Sequence, residues 1–224
     1  MGSFANLISM FWHIAGLQDI VCFSKLSRLI GTVLETSFQK EGARKLGWNS
    51  EQENNAIWIS REFSKCSGCR KCEIACSLQK ENKIWPEASR VRVFMLVPGA
   101  EFPHLCTQCE DYPCVEACPF NALGVNKDTS AVVVDAEKCT GCGKCIDACP
   151  GKVPHIHPQT KKVLICDLCG GDPKCAKVCQ EGGWNCLKVV KRGDHEFKLY
   201  SRTPEETSRN LATKMYGEKA EEFM

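Results

Sequence analysis

The sequence predicts an α+β chain: two small modules of short strands and helices, related by an internal repeat, with a helical extension at each end. Three observations point there. Cysteine makes up 18 of 224 residues, and sixteen of these fall into four groups of four between Cys66 and Cys179. The segments Lys65–Cys76 and Lys138–Cys149 match at eight of twelve positions, four of them cysteines. The first 54 residues hold one cysteine, Cys22, and instead repeat apolar residues at helical spacing. The expected organisation is therefore an extension over 1–54, a cysteine-rich domain over 55–200 and a tail over 201–224.

The extension is expected to form two amphipathic helices. Phe4, Leu7, Ile8, Phe11 and Ile14 mark one, and Leu26, Leu29, Ile30, Val33 and Leu34 the other, with a break around Gln18–Ser24 and a stop near Gly42. Packing on the core or on a partner subunit is the expected role, ahead of attachment to a membrane surface. The mostly apolar run Phe4–Leu17 is shorter than the ~20 residues a spanning helix needs. It lacks a basic segment or twin-arginine pair before it, the first cation being Lys25, so the expected compartment is the cytoplasm. Thiols stay reduced there, which favours metal ligation over disulfides.

Each cysteine group is expected to follow a short apolar strand. Ile57–Ser60 precedes the first, Val133–Asp135 the third and Val163–Ile165 the fourth, while the second is preceded at a distance by Val91–Val97. The groups are Cys66, Cys69, Cys72, Cys76; Cys106, Cys109, Cys114, Cys118; Cys139, Cys142, Cys145, Cys149; and Cys166, Cys169, Cys175, Cys179. The first and third have the C-x2-C-x2-C-x3-C spacing of bacterial-type ferredoxins; the second and fourth lengthen the middle interval to four and five residues. A tight loop offers three thiolates to three corners of a 4Fe–4S cubane. Three residues later the chain has turned away, so the fourth cysteine serves a different cluster. Gly68, Gly141 and Gly143 let backbone amides approach the sulfurs. Zinc ribbons rarely carry a third and fourth cysteine at these intervals, so four 4Fe–4S clusters are the expected cofactors.

Fourth ligands can be exchanged between sequential groups or in a nested order. Two details favour nesting. Only the second and third groups end in Cys-Pro, at Cys118-Pro119 and Cys149-Pro150, and a compact strand–turn–strand, Ala122–Val125 and Ala131–Asp135 around Asn126–Ser130, joins them. The expected ligand sets are Cys66, Cys69, Cys72 with Cys179; Cys106, Cys109, Cys114 with Cys149; Cys139, Cys142, Cys145 with Cys118; and Cys166, Cys169, Cys175 with Cys76. Each set is complete, so no three-iron cluster is expected. The fold class is thus α+β, two ferredoxin-like 2×(4Fe–4S) modules in nested arrangement with helical extensions.

Charge is nearly balanced at a formal +2, which argues against a nucleic-acid binder. Sixteen thiolates and four oxidised cubanes, each about +2, change this to about −6. Arg70, Lys71, Lys144, Lys161 and Lys162 lie beside the motifs and either offset that charge or form ordinary solvated surface. There is no phosphate loop, nucleophile elbow or His-Glu-x-x-His helix, so no catalytic residue is assigned. His155 and His157 alternate on an expected strand, and Cys22 and Cys186 are read as packing residues outside the ligand sets. Thr203-Pro204-Glu205-Glu206 reads as cap, N1 proline and N3 acid of a last helix to about Tyr216, with Leu211 and Met215 as its apolar side. That helix is read as either an arm onto a partner or a local cap.

From Ile57 to Val190 the motifs resemble the four-cluster iron–sulfur subunits of molybdopterin and tungstopterin oxidoreductases. The short fourth motif, Cys166-Asp167-Leu168-Cys169-Gly170-Gly171-Asp172-Pro173-Lys174-Cys175, is similar to the small subunits of tungsten-dependent aldehyde oxidoreductases and class II benzoyl-coenzyme A reductases. The chain departs from that family at Cys179-Gln180-Glu181-Gly182-Gly183, where Cys-Pro-Thr-Gly-Ala is usual, and in its N-terminal extension. The resemblance implies the nested exchange. It also implies an electron-transfer role between a tungsto- or molybdopterin catalytic subunit and ferredoxin or a flavoprotein. The alternative is the iron–sulfur subunit of a dimethyl-sulfoxide-reductase-type or hydrogenase-type complex.

Overall fold

The computed structural model describes residues 56–191 and 200–224. The helices expected within 1–54, and Cys22, lie outside the described residues. The described part is α+β: helices alternate with four separate two-stranded antiparallel sheets.

Strand β1 (Ile57–Arg61) pairs not with a neighbour but with β8 (Leu187–Lys191), Ile59 standing opposite Val189. This pairing spans the whole cysteine-rich region and brings its first and last motifs side by side. Helix α1 (Lys71–Glu81) packs against α4 (Lys174–Glu181) in the same layer. Their shared core holds Ile59, Val91, Val93, Leu105, Leu168, Ala176 and Leu187 together with Cys72, Cys76, Cys166 and Cys175.

A second layer lies inside this frame in the sequence. Strands β4 (Leu123–Val125) and β5 (Val132–Val134) form the expected hairpin, and its turn is closed by Asn126 Oδ1, which accepts from the Asp128 and Thr129 amides at 2.8 and 3.1 Å. Helices α2 (Pro113–Glu116) and α3 (Lys144–Ala148) pack on each other, and β6 (His155–Ile156) pairs with β7 (Val163–Leu164). Their core contains Tyr112, Ala122, Leu123, Val132, Val163 and Ile165 with Cys114, Cys139 and Cys145.

Three expectations are corrected. The apolar stretch at 91–97 is a strand only over β2 (Arg92–Met95), because Val97–Ala100 turns the chain into β3 (Glu101–His104). The second cysteine group therefore does follow a strand. Pro103 hid it, a residue tolerated because each two-stranded sheet has only edges. Strand β6 stops at Ile156, so His157 does not alternate with His155 along it. Instead the buried His157 ring accepts from the Gln159 and Thr160 amides and faces Glu81. The last helix, α5 (Pro204–Tyr216), has the full capping box between Thr203 and Glu206 but buries Ala212, with Leu211 and Tyr216, against Val97 and Ala100. Met215 is half exposed.

Candidate metal centre

The four motifs share one local design. The third cysteine of each lies in the first turn of a helix: Cys72 in α1, Cys114 in α2, Cys145 in α3 and Cys175 in α4. Arg70, Tyr112 and Gly143, at the N-caps of the first three, are left-handed, which reverses the loop sharply into the helix. At Gly141 the same conformation has a steric reason, since a Cβ there would lie 2.1 Å from the Lys161 carbonyl oxygen. Helices α1 and α4 continue through their fourth cysteines, Cys76 and Cys179. Helices α2 and α3 stop before Cys118 and Cys149, where Pro119 and Pro150 forbid a further turn.

The cysteines line cavities. One, of ≈ 330 Å³ counting the space open to solvent, is walled by Cys66, Cys69, Cys72 and Cys179 with Val93, Trp184 and Leu187. A second, ≈ 410 Å³, is walled by Cys106, Cys109, Cys114 and Cys149 with Tyr112, Val132 and Ile165. A third, ≈ 310 Å³, is walled by Cys118, Cys139, Cys142 and Cys145 with Phe120 and Val163. Cys166, Cys169 and Cys175 lie within electrostatic reach of Cys76. Between these sets, Cys175 feels Cys72, Cys106 feels Cys166, and Cys114 feels Cys145. The neighbours therefore run from the Cys66 set to the Cys166, Cys106 and Cys139 sets in turn. Cys69 and Cys142, one in each end set, are exposed.

The donor set fits iron–sulfur clusters better than single ions. All described cysteines are free thiols. Among the described residues no three His, Cys, Asp or Glu converge tightly enough to hold one metal ion. A cubane instead takes one thiolate at each of four corners, so its sulfurs stand apart around a volume, as they do here. Burial pushes the thiols of Cys72, Cys114 and Cys166 up to about 12 and Cys145 to about 11. A cationic group in the cavity would reverse that penalty and stabilise the thiolates. Backbone amides already point at sulfur: Arg90 at Cys76 (3.2 Å), Gln108 at Cys106 (3.4 Å), Ala122 at Cys118 (3.3 Å), Val163 at Cys139 (3.5 Å) and Leu187 at Cys179 (3.4 Å). Such donors favour charged sulfur and orient it.

Sequence reasoning missed three residues of this region. Cys186, read as packing, is buried but also lines the first cavity, where its thiol interacts with that of Cys66 and holds it below the usual thiol range. Gln108 ties the layers together, donating to the Cys166 carbonyl at 2.6 Å and accepting from the Val132 amide at 2.9 Å. Arg61 is buried among the cysteines. The only signal for Cys186 was its closeness to the fourth motif; Gln108 and Arg61 left none. Of the flanking cations, Lys162 donates to the Cys139 carbonyl at 2.5 Å, Lys71 lies 4.8 Å from the Trp184 ring centre, and Arg70 pairs with Glu73 at 3.4 Å. Among the described residues no helix is long and apolar enough to cross a membrane.

Residues 98–192 match the 4Fe-4S dicluster domain, and residues 63–79 a 4Fe-4S binding domain. The polyferredoxin-like subunit of an aliphatic sulfonate oxidoreductase from Pyrococcus furiosus is 53% identical over 171 residues, covering 75% of this chain and 98% of that one. The B subunit of polysulfide reductase from Wolinella succinogenes is 37% identical over 131 residues, 51% of this chain and 66% of its own length. Protein NrfC of Escherichia coli is 35% identical over 131 residues, 52% of this chain and 58% of its own length. Among solved structures, a chain of the BamBC active-site complex of benzoyl-coenzyme A reductase aligns over 75% of this chain and 95% of its own, at 20% identity and a TM-score of 0.36.

Proposed function

Because the chain belongs to the family of polyferredoxin-like, 4Fe–4S-binding subunits of oxidoreductases, we propose that it is the four-cluster electron-transfer subunit of a complex whose large subunit carries a tungsto- or molybdopterin. When bound, the clusters supply reversible one-electron storage at closely spaced centres. The chain's own residues do the rest: they hold each centre, exclude water and set its surroundings.

One observation carries this reading. Three cavities are each walled by three cysteines of one motif and one from another, and Cys76 stands by the remaining three. That supports the nested ligand sets and a count of four. The order of neighbouring thiols supports a single file from the Cys66 set to the Cys139 set. The exposed Cys69 and Cys142 make its two ends the docking points for the large subunit and for ferredoxin or a flavoprotein. The short fourth motif supports a pterin partner. The cover of the sulfonate oxidoreductase subunit makes an aliphatic sulfonate the first substrate class to test. A cytoplasmic setting would keep these thiols reduced and available to iron.

The test is anaerobic purification of the native complex, with iron counting and identification of the large subunit and its metal. About sixteen irons per chain is the expected loading of four filled cubanes. A zinc-loaded chain, or one that purifies without a partner, would end the proposal. A membrane-anchor subunit in the complex would instead move it to the dimethyl-sulfoxide-reductase-type alternative.

A further inference from the structure

Arg61, the last residue of β1, is a cation in the interior, 4% exposed. Its Nη2 donates to the Cys106 carbonyl at 3.0 Å. The guanidinium carbon lies 5.1 Å from the centre of the Tyr200 ring, and the Tyr200 hydroxyl donates back to the Arg61 carbonyl at 3.0 Å. Nε is buried without a hydrogen-bond partner. Among the described residues no carboxylate forms an ion pair with it.

A buried charge without a counterion is strongly unfavourable, and a guanidinium does not escape by losing its proton. Burial lowers this one only to about 10, so it is charged at neutral pH. The groups placed to favour that charge are Cys106, the Tyr200 phenol, Cys166 and Cys109. The sulfurs belong to two different ligand sets, one from each layer of the fold. As neutral thiols they offer no compensating charge. Held as thiolates around a cubane, each set would carry about −2.

We propose that Arg61 is the internal countercharge of the iron–sulfur core, holding up the reduction potentials of the two middle centres, at the Cys106 and Cys166 sets. This rests on the four-cluster reading. Reduction adds one negative charge to a centre that is already anionic. A fixed cation in a water-poor interior stabilises the reduced form more than the oxidised one. The site lies where the outer and inner layers meet, the step every electron must take between the ends of the file. Without the cation those two centres become poorer electron acceptors than they are with it.

The bland role, tying β1 to the Cys106 loop and Tyr200, needs a donor but no charge. Three variants of the full chain in its complex separate the two: R61K, R61Q and R61M. Iron content and EPR-monitored redox titration are the readouts. R61Q and R61M are expected to move two of the four centres to lower potential and leave the other two in place, with R61K staying near wild type. Loss of iron from R61Q and R61M, but not from R61K, would equally support the charge. Unchanged potentials in R61Q and R61M, or an R61K shift as large as that of R61Q, overturns the proposal. The four-cluster reading fails separately, through a wild-type chain with fewer than about sixteen irons. Arg61 would then still be judged on the Cys106 and Cys166 sets.

Discussion

Cys186 and Cys66 share the wall of the first cavity, and their thiols interact there. The contact lowers Cys66 to about 7 against the opposing effect of burial; once Cys66 is held as a thiolate at a centre, Cys186 is the thiol left to donate. The β1–β8 ladder places it: the Glu62 amide donates to the Cys186 carbonyl at 2.9 Å. A donor on a ligand sulfur stabilises the more negative state of a centre. Cys186→Ala is therefore expected to keep full iron and lower the potential of the centre at Cys66 by roughly 20–60 mV, one hydrogen bond's worth. Cys186→Ser should fall between the two. Redox titration checks it, and iron loss in Cys186→Ala would make Cys186 a ligand instead.

Gly141 and Gly143 separate steric need from backbone preference. Both are left-handed, at φ +72° and +81°, but a Cβ meets the Lys161 carbonyl at Gly141 and nothing within 4 Å at Gly143. Gly141→Ala should displace the loop and empty the Cys139 set, about four of sixteen irons. Gly143→Ala should keep its iron and lose about 1 kcal/mol of stability. Iron analysis and thermal melts distinguish them.

Ligand exchange predicts that damage appears away from the mutated motif. Cys149→Ser should alter the spectrum of the centre at Cys106, Cys109 and Cys114, whose cavity Cys149 lines, and spare that at Cys139. Cys76→Ser should in the same way alter the Cys166 set. Mössbauer or EPR spectra of the two variants decide it. Damage confined to the mutated motif's own centre would remove the exchange.

His155 links stability to pH. Burial first, then the Arg92 charge, lowers it from 6.5 to about 4, so the folded chain binds fewer protons than the unfolded one. Its contribution is full above pH 6.5 and is lost as pH falls toward 4. Between pH 7.5 and 5.5 the loss is about 1.4 kcal/mol. His155→Leu should show a shallower fall in melting temperature over that interval than wild type.

Removing iron should unfold the domain, because the two main apolar clusters are themselves built around cysteines. Chelation under oxidising conditions is expected to abolish the cooperative melt, with reconstitution restoring it. A chelated chain that keeps its native circular dichroism would contradict this.

The local features were legible because each is written within a few residues. Cysteine intervals define what a tight loop can present, Asn126–Ser130 closes a turn, Thr203 and Glu206 cap a helix, and Pro119 and Pro150 end two others. Pairings across distance carry no such signature. Ile57 and Lys191 are partners in a two-stranded sheet 134 positions apart in number, and strands as short as His155–Ile156 show no period to read. The tertiary structure alone decided that Cys186 turns toward Cys66, that Gln108 bridges the layers and that α5 folds back onto Val97 and Ala100. It also decided that Arg61, an ordinary polar residue at a strand end in the sequence, is enclosed. Its burial depends on Cys106 and Tyr200, which only the closed β1–β8 frame brings to it.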